Sequence, residues 1–335
     1  MLKPPITVSM AFVRGLLCGV AARGFSRNDL LVEAGIDPDL LEQIGARVTG
    51  EQYIDLFRLV AKSLNDDGLG FFSRPLKRGS LLLMVRSALG APNLEVGMRR
   101  ISRTFYLLQD DVEMVQVQED GLAGWSLVFA DPLRKYPAFM HEALLRTFWR
   151  VLGWLIESRL PVDHFDLAFP CPFYADHYGK VLPAPLRFDQ PRSAFWFDAR
   201  YLKEPIRRDE VQLRSFMMNV QCNVVLPRRI EEEIGGKVRS YLQQQIPRWP
   251  DLVATAQALH MSVSTLQRHL GTEGTSFQAL KNELRRDMAV SRLNTSNVSL
   301  AVLASELGFT DCATFQRAFK SWTGSAPGAY RGRRG

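Results

Sequence analysis

The sequence predicts a two-part fold: an α+β N-terminal domain of helices on a small antiparallel sheet, then an all-α domain with two helix-turn-helix units joined by a long helix. Three observations predict it. Apolar residues recur at helical spacing early in the chain, alternate over residues 112–129, and return to helical spacing through most of the last third. The charge is uneven: of 42 Lys+Arg and 35 Asp+Glu, residues 237–335 hold 13 and 6, so the whole surplus of +7 lies there. Within that basic stretch, two short helical hairpins of one design occur in succession.

The elements follow in order. Ser26 three residues before Asp29 resembles a helix N-cap, Gly35 supplies a stop, and Asp37-Pro38 opens a second short helix with proline at its first position. Thr49 and Gln52 form a capping box ahead of Tyr53, Leu56, Phe57, Val60 and Leu64, one buried face. A further helix is expected from Asn93 to Leu108, with Leu94, Met98, Ile101, Phe105 and Leu108 aligned. Val112 to Val117 and Trp125, Leu127 and Phe129 flank Glu119-Asp120-Gly121 as a hairpin, residues 138–158 return to helix, and 163–169 and 194–198 read as strands. The expected division is a 1–204 effector-binding and dimerisation domain, a 205–236 charged helical linker with Arg228-Arg229 and Glu231 to Glu233, and a 237–335 basic domain.

Composition excludes several classes. With 46% hydrophobic and 10% aromatic residues the chain can bury cores for roughly two domains, which rules out disorder. Its apolar runs fall short of the roughly 20 residues of a membrane span and no signal-peptide layout is visible, so a cytoplasmic protein without a membrane partner is expected. Cys18, Cys171, Cys222 and Cys312 form no CxxC pair, which indicates reduced thiols and no metal. His164, Cys171 and His177 match no ligand spacing. The aromatic set Phe165, Phe169, Phe173, Tyr174, Phe195, Trp196 and Phe197 reads either as a ligand pocket or as ordinary core.

The basic third carries the chemistry. In its first hairpin Leu252, Ala256 and Leu259 face inward, His260-Met261 turns, and Ser262 caps a helix that buries Val263, Leu266 and Leu270 and leaves Ser264, Thr265, Gln267 and Arg268 outside. In the second, Ser299 caps Leu300, Leu303, Ala304 and Leu307, Gly308 stops, and Thr310 or Asp311 caps a helix burying Phe315, Ala318, Phe319 and Trp322. Ala313, Thr314, Gln316, Arg317 and Lys320 are left outside. Arg forks onto guanine and Gln onto adenine in the major groove, while Ser and Thr bond bases or phosphates. A connector from Thr275 or Ser276 through Leu293, about 27 Å long at 1.5 Å per residue, would set the two helices at successive groove turns, about 34 Å apart.

Met261-Ser262, Leu266-Gln267-Arg268, Gly274 to Phe277, Arg285, Ala289, Leu293, Leu303-Ala304, Gly308-Phe309, Phe315, Arg317-Ala318-Phe319, Trp322, Gly324, Pro327 and Tyr330-Arg331 together resemble the DNA-binding domain of the AraC/XylS family of bacterial transcription regulators. By position, the resemblance implies that Ser264, Gln267 and Arg268 read one groove and Cys312, Ala313, Gln316 and Arg317 the next. Many relatives carry polar residues where Cys312 and Ala313 stand, which implies methyl contacts, Arg317 and phosphate binding there. The segment Leu186-Arg187-Phe188 through Phe197-Asp198 to Leu202 is similar to the arabinose-binding-domain (ornithine-utilisation regulator) subgroup. The expected partners are double-stranded promoter DNA, a second copy in a homodimer, RNA polymerase and a small effector whose contacts the sequence leaves unknown. No cofactor and no catalytic residue is expected. The alternatives weighed are a DNA-targeted enzyme with Cys171 as nucleophile and an architectural DNA binder using apolar wedges.

Overall fold

Side-chain caps set most of the helix starts in the computed structural model, which describes residues 6–131, 134–226 and 234–331. The chain begins with β1 (Thr7–Ser9), α1 (Met10–Leu16), α2 (Cys18–Ala21) and α3 (Arg27–Glu33), where Ser26 Oγ accepts from Asp29 N at 3.2 Å. A 3-10 turn, Pro38–Glu42, is capped by Asp37 and leads to β2 (Arg47–Thr49). Thr49 and Gln52 cap α4 (Gly50–Leu64) reciprocally at 3.1 and 3.0 Å. After α5 (Ser80–Ala88), Asn93 caps α6 (Leu94–Leu108), and β3 (Val112–Glu119) and β4 (Leu122–Phe129) turn at Asp120-Gly121. Both turn residues have positive φ, 48° and 79°, the requirement of a tight two-residue hairpin. There follow α7 (Ala138–Leu155), β5 (His164–Asp166), β6 (Leu186–Arg187), β7 (Ser193–Asp198) and α8 (Glu210–Met218). Six α-helices, α9 (Ile234–Gln244), α10 (Leu252–Ala258), α11 (Val263–Thr272), α12 (Phe277–Thr295), α13 (Leu300–Glu306) and α14 (Cys312–Thr323), and a closing 3-10 turn, Pro327–Tyr330, complete the described chain.

These elements gather into two compact units. One comprises Ala11–Leu30 and Ile54–Leu226, the other Met1–Met10, Leu31–Tyr53 and Pro227–Gly335. This division differs from the boundary expected near residue 204, because two early segments fold with the basic third. β1 and β2 pair antiparallel, Val8 opposite Val48, and lie against α12, adding a two-stranded sheet to the expected all-α arrangement. Three-residue strands are too short to show alternation, which is why the sequence does not announce them. The linker residues Arg228-Arg229 and Glu231 to Glu233 lie outside the described residues.

In the Ala11–Leu30, Ile54–Leu226 unit, the sheet runs β3-β4-β7-β5-β6. It is antiparallel except for the β5–β6 pair, which is parallel. Trp125 is fully buried between Phe148 of α7 and Phe195 of β7, at centroid distances of 5.1 and 6.3 Å, and its indole N–H donates to Ser102 Oγ. The aromatic residues Phe165, Phe195 and Phe197 are completely buried core, whereas Phe173 is 69% exposed.

Burial also sets a pH dependence. His141 of α7 is buried against Phe129 and Phe169, its Nδ1 is 2.8 Å from Ser193 Oγ, and that oxygen accepts from Ala168 N. Desolvation pushes its pKa from 6.5 down to about 4. Between those values the unfolded chain binds more protons than the folded one. Stability therefore falls as pH drops from 6.5 towards about 4, by about 3 kcal/mol across the whole window. Buried Glu142, whose carboxyl is pushed up by desolvation, acts in the opposite direction, so the His141 contribution is isolated by comparison with His141→Asn. Urea denaturation at pH 7 and pH 5 is expected to show a steeper acid loss for the wild type; equal losses would assign the effect elsewhere.

Candidate nucleic-acid interface

Each hairpin of the basic third is built by the same local chemistry. Asp251 accepts from Ala254 N at 2.8 Å to start α10, and His260, with φ 56°, ends it by reversing the chain so that Met261 N reaches Ala256 O at 2.9 Å. The second hairpin repeats this at Ser299, Gly308 (φ 71°) and the Phe309 N to Ala304 O bond of 2.9 Å. Glycine is required there twice over, because a Cβ would sit 2.7 Å from Trp249 Cδ1. Ser262 Oγ then accepts from Thr265 N to start α11, and Asp311 Oδ1 from Thr314 N to start α14, which settles the choice between Thr310 and Asp311. Between them α12 is capped by Ser276, and its 19 residues span about 28 Å.

Of the residues the spacing picked as inward, Leu266 and Leu270 on α11 and Phe315 and Phe319 on α14 are buried, whereas Val263, Ala318 and Trp322 are half-buried. The opposite faces stand out. On α11 Ser264, Gln267 and Arg268 are exposed and Thr265 half-buried; on α14 Ala313, Gln316, Arg317 and Lys320 are exposed and Cys312 and Thr314 half-buried. Short-range bonds organise these faces, with Arg317 Nη2 donating to Thr314 Oγ1 at 3.1 Å, Thr314 Oγ1 to Asp311 Oδ2 at 2.8 Å, and Gln316 Nε2 to Cys312 Sγ at 3.6 Å. The Thr314 amide also holds the Asp311 carboxyl below its usual range.

Much of the positive charge is spent inside the unit. Arg239 pairs with Glu283, Arg286 with Asp287 and Arg292 with Glu306. Lys281 Nζ donates to the carbonyls of Trp249 and Pro250, and Arg331 Nη2 to that of Val298. Arg285 lies between two rings, 5.0 Å from Trp249 and 4.9 Å from Phe309, and so ties the segment before α10 to the second hairpin's turn. Arg268, Arg317 and Lys320 project from the exposed faces. Sequence counting cannot make this separation, since the structural arginines and the outward ones have the same composition.

The other candidates do not converge. His164 is held by Asp163 at 2.6 Å and stacks on Trp196, while Cys171 is exposed with its Sγ 3.9 Å from Pro172 O. Among the described residues no group of three His, Cys, Asp or Glu side chains is placed to hold a metal, and no helix is long and apolar enough to cross a membrane. Glu142 Oε1 accepts from the hydroxyls of Tyr174 and Tyr178.

Both parts of the chain are similar to known proteins. Residues 24–206 match the family described as the arabinose-binding domain of AraC transcription regulator, N-term, and residues 255–333 match a helix-turn-helix domain. The ornithine utilization regulator of Pseudomonas aeruginosa is 28% identical over 97% of this chain and 96% of its own. The uncharacterized HTH-type transcriptional regulator Rv1395 of Mycobacterium tuberculosis is 38% identical over 98% of each. The crystal structure of transcriptional regulator CdpR from Pseudomonas aeruginosa aligns over 97% of this chain and 98% of that one, with 17% identity and a TM-score of 0.35.

Proposed function

Since the chain belongs to the arabinose-binding-domain family of AraC transcription regulators, we infer that α11 and α14 read DNA in two successive major grooves and that the other unit controls the protein through an effector and a homodimer. The chain is a DNA-binding transcriptional regulator. What carries the two-groove reading is the pairing of two capped helices whose exposed faces hold Gln267-Arg268 and Gln316-Arg317 at either end of the connector α12. Arg268 and Arg317 supply guanidinium forks, Gln267 and Gln316 amides, and Ala313 and Cys312 small apolar contacts for thymine methyls. Lys320 and the caps contact phosphates, a salt-sensitive attraction without sequence information. In this reading the protein acts in the cytoplasm, meets RNA polymerase at promoters and carries no catalytic residue. Its identity as a regulator supports that assignment over a reactive Cys171.

The test is selection of DNA by the full-length protein from a random pool, followed by affinity measurement for selected and scrambled duplexes at matched salt. Selected sites are expected to bind at least about a thousandfold more tightly, and equal affinity would sink sequence-specific recognition. Arg268→Ala is expected to lose about 1–3 kcal/mol of discrimination at one base pair while other positions keep theirs. A uniform loss over all sequences would place Arg268 on a phosphate.

A further inference from the structure

The unit formed by Ala11–Leu30 and Ile54–Leu226 contains a cavity of about 570 Å³, and we propose that it binds an amphipathic monocarboxylate, with Arg146 holding the carboxylate and the apolar walls holding its hydrocarbon body. This names a ligand class for the effector reading above and rests on it. The volume lies within the range of small-molecule sites, which are apolar with a few placed polar groups. Phe72, Met84, Phe105, Met140, Leu144 and Phe148 supply apolar wall here.

Arg146 is the unusual member of the lining. It is 3% exposed, its Nε has no hydrogen-bond partner, and among the described residues no hydrogen bond or ion pair engages its guanidinium. Buried cations are ordinarily paired, because an unpaired charge in an apolar setting is costly. Arg150, one turn further along α7, shows the ordinary arrangement, donating to the carbonyls of Asn223, Val224 and Leu226. Glu142, one turn earlier, acts on Arg146 only through space: its Oε1 is taken by two tyrosine hydroxyls, its Oε2 has no hydrogen-bond partner, and neither oxygen is in hydrogen-bonding contact with the guanidinium. Among the described residues, then, no anion is in direct contact with the Arg146 guanidinium.

The rest of the lining selects the anion's charge. Arg58 pairs with Asp55 at 3.3 Å, and Arg78 acts on Asp67, which also accepts from Gly79 N at 2.8 Å. Those cations have carboxylate partners, so a single negative charge matches the remaining cation of the lining, and Asp67 adds negative charge to the cavity wall. A carboxylate offers two coplanar oxygens to the guanidinium fork. The cavity is lined as well by Met217, Val220, Gln221 and Val224, of which Gln221 and Val224 belong to a single π-helical turn, Gln221–Val225, just before the chain leaves this unit at Leu226. A bound ligand thus touches the segment that continues in sequence towards the DNA-binding helices.

The test is isothermal titration of the full-length protein with decanoate, 1-decanol and decyl phosphate. Decanoate is expected to bind at one per chain, and 1-decanol at least about tenfold more weakly, the loss of one charged hydrogen-bonded pair. Arg146→Met should weaken decanoate to the level of 1-decanol, and Ala143→Phe, which keeps Arg146 and fills the cavity, should abolish both. If Arg146→Met fails to fold, the acid-to-alcohol ratio and the Ala143→Phe result still decide. Failure of decanoate to bind, equal binding of acid and alcohol, unchanged decanoate affinity in either variant, or tighter binding of decyl phosphate would overturn the proposal. Affinity of the same preparation for its selected DNA, measured without ligand, separates that failure from failure of the DNA-binding reading.

Discussion

Asp287→Ala is expected to cost about 3–5 kcal/mol of stability, the range for removing one partner of a buried ion pair. Asp287 of α12 is 4% exposed, and its Oδ1 accepts from Thr7 Oγ1 at 2.6 Å and from Arg286 at 3.2 and 3.1 Å. Thr7 in turn accepts from Arg47, whose Nε is 2.7 Å from Thr7 Oγ1 and whose Nη2 is 2.9 Å from Thr7 O. Burial, reinforced by Arg286, lowers the Arg47 pKa to about 10, and Asp287 is the first of the groups that raise it again. Removing Asp287 leaves two crowded cations and frees β1 and β2 from the helix they pack on. Urea denaturation of the full-length protein checks this. A loss below about 1 kcal/mol would show that the network is dispensable.

Phe315→Ala should cost a similar amount, about 3–5 kcal/mol, by opening a cavity under the second hairpin. Phe315 is completely buried on the inner face of α14, 5.6 Å from Phe309 and 5.8 Å from Phe319. Its loss loosens α14 against the rest of the unit, so contacts made by Gln316 and Arg317 should go while those of α11 persist. Phe315→Leu should retain most of both properties. Thermal and denaturant unfolding measure the first effect and duplex binding the second; full-strength DNA binding by Phe315→Ala would contradict the packing argument.

These variants mark where sequence reasoning succeeds and where it stops. The helices of the basic third were legible because their signals are local: Ser262, Ser299 and the inward Leu and Phe residues act within one or two turns, and caps and periodicity are read within that range. The α6 cap and the Asp120-Gly121 turn were legible for the same reason. What stayed hidden depends on distant pairing. Arg47 meets Thr7, and its amide donates to the hydroxyl of Tyr330, across nearly the whole chain, so no window around β2 reveals that residues 31–53 fold with the last third. The parallel β5–β6 contact joins a three-residue and a two-residue strand, too short for either to show a pattern. Arg146 reads as an ordinary helix-face arginine until its burial and its Nε without a hydrogen bond are seen together. Conversely, the conspicuous Phe165-to-Phe197 aromatic set is core at Phe165, Phe195 and Phe197, because large rings are what cores are made of, and lies partly or wholly open at its other four members.

The central claim is that two helices of one chain read two grooves. Its most direct measurement is guanine methylation interference by the full-length protein on its selected site, with Arg268→Ala and Arg317→Ala alongside. Two clusters of interference are expected on one face of the duplex, about one helical turn of roughly 10 base pairs apart for each bound chain, with Arg268→Ala erasing one and Arg317→Ala the other. A single cluster, or a uniform weakening of both clusters by either substitution, would contradict it.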